Sequence, residues 1–371
     1  MKKIAIDLTS LDDNFSGIER FALSISKTLI EADKRNRYIL IFKNSIHSEF
    51  KDISRNVTCK IIHCRYKLLC YQILLPLLLY KIQADTYLFL AYPSPLLFFS
   101  RKSLSTIHDL SCWDCRGCNT KKMELYFKIL YKKVSLFEKA AITVSKFSKE
   151  RISNILKIKA ECIQVIYNGI SHKMDANQPN RNEFTKDVSN KYNLPNKYIL
   201  CLSTIEPRKN IRLLISAYAE LLASSQIEHK LVLVGRKGWL TDDIIGDLPK
   251  KITDNIVFTG FVDDDDLPYI YRGADLFVFP SLYEGFGIPP IEAMANRVRV
   301  LSSDSSCLPE ILGRYAMYFK NNDIKDLKSK IIECLEEDNN DLVISEAYEY
   351  IKRFNWRESA GKLLKILNDG M

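Results

Sequence analysis

No apolar run in this 371-residue chain is long enough to cross a bilayer. The longest, residues 68–80, is interrupted by Gln72 and Pro76 and falls well short of the roughly 20 apolar residues a spanning helix needs. A second run, residues 87–99, carries Pro93 and Pro95 within it. The two read as a buried helix followed by a strand. The opening Met1-Lys2-Lys3-Ile4-Ala5-Ile6 has no signal-peptide pattern, so the ten cysteines are expected as free thiols in a reducing cytosol, not as a disulfide framework. No nucleic-acid-binding module is recognisable. Cys112, Cys115 and Cys118 form a C-x2-C-x2-C run, but no cysteine or histidine follows at a short spacing to complete a zinc or iron–sulfur site. Reduced loop thiols and no metal are expected there.

What is present is size, apolar content and an uneven charge. At 371 residues with 47% apolar composition, the chain fits two globular domains of roughly 150 to 200 residues each. The net charge is +9. Residues 1–190 hold 31 Lys and Arg against 18 Asp and Glu, a balance of +13, and residues 191–371 hold 23 against 27, or −4. A basic first half implies an anionic partner, and without a nucleic-acid module the membrane surface is the leading candidate. Lys121, Lys122, Lys128, Lys132 and Lys133 punctuate an amphipathic helix that fits a solvated face and a membrane-surface contact equally well.

Short apolar runs recur at 3–8, 38–42, 57–62, 86–90, 104–107, 141–144 and 163–166, most separated by helical stretches such as 18–32. That alternation predicts a parallel, doubly wound sheet with ligands at the carboxyl ends of its strands. The turn before the first helix ends at Gly17, a lone glycine that by itself reads as a turn residue. His108-Asp109 follows the strand at 104–107, a place suited to function, although a hydrogen-bonded structural histidine is the ordinary reading of such a pair. Ser145 stands as an N-cap, and Tyr167-Asn168-Gly169 closes the first domain with a turn. The polar residues 176–196 read as a linker. Strands resume at 198–202, 231–234, 256–258, 276–279 and 298–302.

The densest signal is Asp275 to Met294. Leu276 to Phe279 is a strand buried on both faces and stopped by Pro280. Gly285 and Gly287 open the loop, and Pro289-Pro290 begin a helix whose positive end faces it. A strand, glycine loop and helix N-terminus make a diphosphate site. Glu284 and Glu292 frame that site as acceptors for pairs of sugar hydroxyls. Spacing alone leaves Glu284 equally readable as a solvated loop residue and Glu292 as a first-turn complement to the helix dipole. Upstream, Arg208-Lys209 stand at a strand's carboxyl end before a helix, where cations are unfavourable unless an anion is bound. The aspartates 263–266 suggest a metal at first sight but suit a solvated helix N-terminus.

The segment Phe-Pro-Ser-Leu-Tyr-Glu-Gly-Phe-Gly-Ile-Pro-Pro-Ile-Glu-Ala-Met-Ala (279–295) resembles the signature of family 4 retaining glycosyltransferases, especially the bacterial polysaccharide mannosyltransferase-like group. Glu-Pro-Arg-Lys-Asn (206–210) is similar to the family loop whose lysine holds the donor diphosphate. The resemblance covers nearly the whole chain and is densest from Tyr198 to Gly313. It implies the α/β GT-B architecture: two Rossmann-like, doubly wound parallel-sheet domains facing across a cleft. These are an acceptor-binding domain at 1–175, a linker at 176–196, a nucleotide-sugar domain at 197–350, and a C-terminal helix at 351–371 crossing back to the first domain.

The activity implied is transfer of a hexose, mannose from GDP-mannose by resemblance, to a lipid-linked saccharide in O-antigen or capsule synthesis. It would proceed with retention and without a metal ion or other cofactor, the nucleotide-diphosphate sugar being a co-substrate. Lys209 would hold the diphosphate, with Arg208 supplying a second charge by inference beyond the motif. Glu284 would hold the sugar, Glu292 the ribose, and His108 the sugar near its reacting carbon. Gly17, Gly235, the Phe261-Val262 loop and Gly285, Phe286, Gly287 and Ile288 would complete the donor site. The place implied is the cytoplasmic face of the membrane, peripherally held by the basic first domain. One departure stands out: Arg297 and Arg299 replace a turn glycine and a proline. Two alternatives use the same pocket. A sugar-nucleotide 2-epimerase would need acid/base carboxylates there. A non-catalytic sugar-nucleotide-binding or scaffold protein is the second, a reading that those two arginines open.

Overall fold

The computed structural model describes residues 1–11, 17–51, 54–171, 174, 184–236, 249–337 and 341–369. The polar turn before Gly17, the 177–180 stretch and the 237–239 loop lie outside the described residues. The chain divides into two compact units, each with its own parallel sheet. The first comprises Met1–Trp113, Asn119–Gly169 and Phe354–Met371, and the second Asp114–Cys118 and Ile170–Arg353.

The first unit carries strands β1 (Lys3–Asp7), β2 (Arg37–Lys43), β3 (Val57–Ile62), β4 (Thr86–Phe89), β5 (Ser103–Thr106), β6 (Ala140–Thr143) and β7 (Ile163–Val165). Every paired neighbour is parallel, in the order β3-β2-β1-β4-β5-β6-β7. Ile4 and Ile6 of β1 and Leu88 and Phe89 of β4 are fully buried, the continuous apolar reading expected of strands covered on both faces. The last helix, Trp356–Asp369, belongs to this unit and packs against helix Gly17–Ala32. A Cβ on Gly169 would lie 2.5 Å from the Trp356 nitrogen, so only glycine admits this approach. Ser359 Oγ donates to the Tyr167 carbonyl at 2.7 Å, and Lys2 Nζ to that of Leu367 at 2.5 Å.

The second unit carries β8 (Tyr198–Leu202), β9 (Lys230–Val234), β10 (Ile256–Gly260), β11 (Leu276–Phe279), β12 (Val300–Ser303) and β13 (Met317–Phe319). Their order is β10-β9-β8-β11-β12-β13, again parallel. Helix Ile211–Ala223 buries Leu214, Ile215, Tyr218 and Leu221 at helical spacing against Leu231, Val278 and Leu301 of the sheet. In this order the direction of chain progression reverses between β8 and β11. The loops leaving those two strands diverge there, which is where an open α/β sheet binds its ligands.

Four expectations change. Residues 184–192 of the expected linker form helix Phe184–Tyr192, tied to the second unit by Lys191 to Asp263 at 2.8 Å and to Asp266 at 2.7 Å. The edge strand β13 was not foreseen, because a three-residue apolar run right after a single 3-10 turn (Gly313–Tyr315) gives no periodicity to read. Cys115 and Cys118 are a disulfide pair and not free thiols; the turn at Gly117 (φ 77°) brings their Cα atoms to 5.5 Å, within bridging range. Finally, the apolar run 68–80 is helical but not a buried helix. Lys67–Leu69 leads through a π-helical turn at Cys70–Leu74 into Leu75–Ile82, and only one side of it faces the core. Leu68, Ile73, Leu77 and Tyr80 are exposed.

Candidate functional site

The site forms in the second unit, where β8 and β11 part. Beyond β8 the chain makes a 3-10 turn, Pro207–Lys209, and Asn210 takes a left-handed φ of 52° before helix Ile211–Ala223. Beyond β11, Tyr283, Glu284, Gly285, Phe286 and Gly287 are all buried. Gly287 has φ 88°, a conformation that favours glycine, and a Cβ there would come within 2.8 Å of Leu308 Cδ2, which would have to move. Helix Ile288–Ala295 then starts with prolines in its first turn, as the sequence predicts.

The two loops are joined through charge. Lys209 Nζ lies 2.6 Å from Glu284 Oε1, and Arg208 Nη1 lies 3.0 Å from Glu284 Oε2. Arg208 also donates through Nη1 to the Tyr283 carbonyl and through Nη2 to Glu206 Oε1, each at 3.0 Å. The Glu284 N–H donates to Ser306 Oγ at 2.9 Å, and the Lys209 ammonium sits 5.5 Å over the Phe279 ring. Burial pushes the Glu284 carboxyl up, but Lys209 and Arg208 outweigh that and hold it at about 2. Glu284 is therefore a buried carboxylate that is ionised at neutral pH, and not a solvated loop residue. An ammonium has three N–H donors, and the bond to Glu284 uses one of them.

Glu292 is the fifth residue of its helix, placing it beyond the first turn, and it is 3% exposed. It is thus no surface complement to the dipole. Tyr271 Oη donates to its Oε2 at 3.0 Å. Gly235 ends β9 at φ 145°, where a Cβ would stand 2.0 Å from the Ser203 carbonyl. Val262 is buried, whereas Phe261 is half exposed with the Arg236 guanidinium 4.3 Å over its ring. Glu206, Tyr271 and Ser306 are the partners that sequence reasoning missed. Glu206 carried a signal as part of the Glu-Pro-Arg-Lys-Asn run, and Ser306 lies in the helix-opening run 305–310. Asp263 and Asp266 bond Lys191, and Tyr192 Oη donates to Asp266 at 2.8 Å.

Arg297 and Arg299 leave the loop alone. Arg297 adopts φ 60°, the conformation the missing glycine would take; its N–H donates to Met294 O and that of Val298 to Ala293 O, both at 3.0 Å. This is a Schellman ending built on arginine, whose guanidinium lies 4.6 Å over the Tyr348 ring. Arg299 donates to the Cys334 carbonyl at 2.5 Å, at the carboxyl end of helix Ile324–Glu336.

In the first unit, Gly17 opens helix Gly17–Ala32, and His108 follows β5. His108 Nε2 lies 3.0 Å from the Leu90 carbonyl, which can only accept, so the proton resides on Nε2. The ring meets Phe21 edge-on at 5.2 Å, and burial lowers its pKa from 6.5. The imidazole is neutral at pH 7.

Comparison with known proteins gives a family, two relatives and a likeness in fold. Residues 182–354 match the family described as Glycosyl transferases group 1. Over 264 residues the chain is 33% identical to O-antigen chain mannosyltransferase B of Escherichia coli, covering 69% of this chain and 67% of that protein. It is 38% identical over 159 residues to the serotype-specific mannosyltransferase WbdA of Escherichia coli, covering 42% of this chain and 20% of that much longer one. In fold it resembles HepE of Anabaena, crystallised in complex with UDP and glucose, with TM-score 0.75, 17% identity and full coverage of both chains.

Proposed function

Since this chain belongs to the group 1 glycosyl transferase family and is a glycosyltransferase, we propose that it moves mannose from GDP-mannose to a hydroxyl of a lipid-linked saccharide, with retention at the anomeric carbon and without a metal ion. The relatives, one named as an O-antigen chain mannosyltransferase and one as a serotype-specific mannosyltransferase, support the sugar and the product class. The observation that carries the chemistry is the Arg208–Glu284–Lys209 cluster between β8 and β11.

The bond between the anomeric carbon and the diphosphate oxygen breaks, and its electron pair leaves with the diphosphate. Lys209 and Arg208, aided by the backbone N–H groups of Phe286 and Gly287 at the start of helix Ile288–Ala295, stabilise that growing charge. In this reading side-chain cations take the part a metal plays elsewhere. The acceptor hydroxyl attacks from the face the diphosphate leaves, and its proton passes to a departing phosphate oxygen, so no carboxylate nucleophile is needed. Glu284, kept ionised, accepts hydrogen bonds from donor-sugar hydroxyls. Glu292, steadied by Tyr271, accepts those of the ribose. Gly235 with Phe261 and Val262 lies against the base. We assign His108 a contact with the transferred sugar through Nδ1, the nitrogen left as an acceptor. The acceptor lipid places the reaction at the inner face of a bacterial membrane.

The test incubates purified protein with radiolabelled GDP-mannose, or with other nucleotide sugars, and membrane extract. Label should enter the lipid fraction from GDP-mannose alone and should vanish with Glu284→Gln. Free epimer formed without acceptor would establish the epimerase instead. Nucleotide binding with wild type and Glu284→Gln equally inactive on every donor would establish a binding protein.

A further inference from the structure

The first unit presents an apolar surface that its own core does not use. Leu69, Ile73, Leu77 and Tyr80 recur at helical spacing along one side of the 67–82 helical run, and all are exposed, Leu77 by 56%. Helix Lys121–Phe137 exposes Leu125 (62%), Ile129 and Leu136 (75%) at the same kind of spacing. Isolated apolar side chains on a surface need no explanation, but these belong to elements bonded to one another. Gln72 Nε2 donates to Tyr126 Oη at 2.8 Å across the two helices, and Gln72 Oε1 accepts from the Leu96 N–H at 2.8 Å. The turn between them adds exposed Leu97 and Phe99. Tyr80 Oη accepts from the Phe99 N–H at 3.0 Å, and the Phe99 ring meets Phe137 at 5.0 Å. Beneath that turn, buried Lys133 donates to Ser94, which in turn donates to Glu138, pinning it to the helix.

The charge around this surface is predominantly positive. Residues 65–84 contain Arg65, Lys67 and Lys81 and no acid. Residues 115–137 contain six Lys and Arg against Glu124 alone. Arg101 and Lys102 flank Phe99 and are exposed. No helix among the described residues is long and apolar enough to cross a membrane.

We propose that this surface, helices 67–82 and Lys121–Phe137 with the 97–99 turn between them, docks on an anionic lipid bilayer, its leucines entering the acyl boundary and its lysines and arginines meeting the headgroups. Apolar side chains at helical spacing with cations around them are the composition of an interfacial element, and each basic residue near an anionic leaflet adds attraction. A second copy of the chain suits the surface poorly. In a two-fold pair the same patch meets itself, setting lysine and arginine against lysine and arginine. The inference deepens the reading of a lipid-borne acceptor by assigning the face that meets the lipid.

The test is flotation of the full chain with vesicles of phosphatidylglycerol and phosphatidylcholine, compared with phosphatidylcholine alone, with neither donor nor acceptor present. Its outcome is therefore independent of the catalytic reading. Wild type should float with the anionic vesicles and be released by salt. Leu77→Asp combined with Leu125→Asp, two exposed positions that disturb no core, should lower partitioning by at least about tenfold. Lys121→Glu with Lys122→Glu should do the same, while both variants keep wild-type hydrogen-exchange protection across β1 to β7 as a check on folding of the first unit. The proposal is overturned if wild type ignores anionic vesicles, if the leucine pair floats as wild type does, or if sedimentation shows a dimer that the leucine pair dissolves.

Discussion

Glu284 shows how much of a site can rest on one side chain. Its folded pKa of about 2 lies below the ordinary 4.5, a difference equivalent to about 3 kcal/mol. Because the folded value is the lower one, that stabilisation is complete above about pH 4.5 and is lost as pH falls toward 2. Urea unfolding of the second unit should therefore weaken over that window in wild type and stay nearly flat in Glu284→Gln. At neutral pH the variant should be less stable by about 2–4 kcal/mol, since two cations lose their buried partner. Lys209→Met tests catalysis instead of stability. It should lower kcat about 10²- to 10³-fold with a smaller change in KM, measured by single-donor kinetics, because the ammonium acts mainly on charge that develops as the diphosphate departs. Of this cluster the sequence showed residue types and local loops. Lys209 and Glu284 are 75 positions apart, and their pairing became legible only through family likeness or strand order. Nothing in spacing pointed to Ser306 or Tyr271, whose contributions depend on where a different loop or helix happens to return.

At the level of elements, strands were the easy part, since inner parallel strands are uniform apolar runs and β1, β8 and β11 read plainly. Helix ends and half-covered helices were harder. The run 67–82 is apolar on most sides, and hydropathy does not say whether a protein core or another apolar phase covers a given side. The ending at Arg297 was unreadable for a different reason. Left-handed backbone costs a non-glycine residue roughly 1–2 kcal/mol, so arginine argues against the very turn it makes. Its stacking on Tyr348 returns about 0.5–1 kcal/mol. Arg297→Gly relieves the strain but loses the stacking and frees the unfolded chain, so its urea stability should stay within about 1 kcal/mol of wild type. Arg297→Pro cannot reach φ 60° and deletes the N–H that bonds Met294, and should cost about 3 kcal/mol or more. If glycine proves as damaging as proline, the turn is not what fixes this ending.

Across the whole molecule, the sequence alternation conveyed two sheets, and the family resemblance carried the return of the last helix to the first unit, but neither conveyed that residues 114–118 leave that unit for the second. The first unit's final stretch places Phe354, Ala360, Leu363 and Leu367 in that unit's core. It also sets Trp356 against Gly169 and Phe21, the ring centroids of the aromatic pair lying 6.0 Å apart. Fully burying the three large apolar side chains is worth roughly 1.5–3 kcal/mol each. Their sum is comparable with the about 5–15 kcal/mol that keeps a whole domain folded. A chain ending at Arg353 should therefore lose the first unit while the second, which contains β8 to β13 and the charged cluster, retains its sheet. Hydrogen exchange would show this as loss of protection across β1 to β7 with β8 to β13 still slow, and GDP binding should persist. Leu363→Ala is the milder form of the same experiment. It should cost about 2–5 kcal/mol in the first unit alone, because the cavity opens where helix Trp356–Asp369 meets helix Gly17–Ala32. Equal loss of protection in both sheets would mean that the two units fold as one.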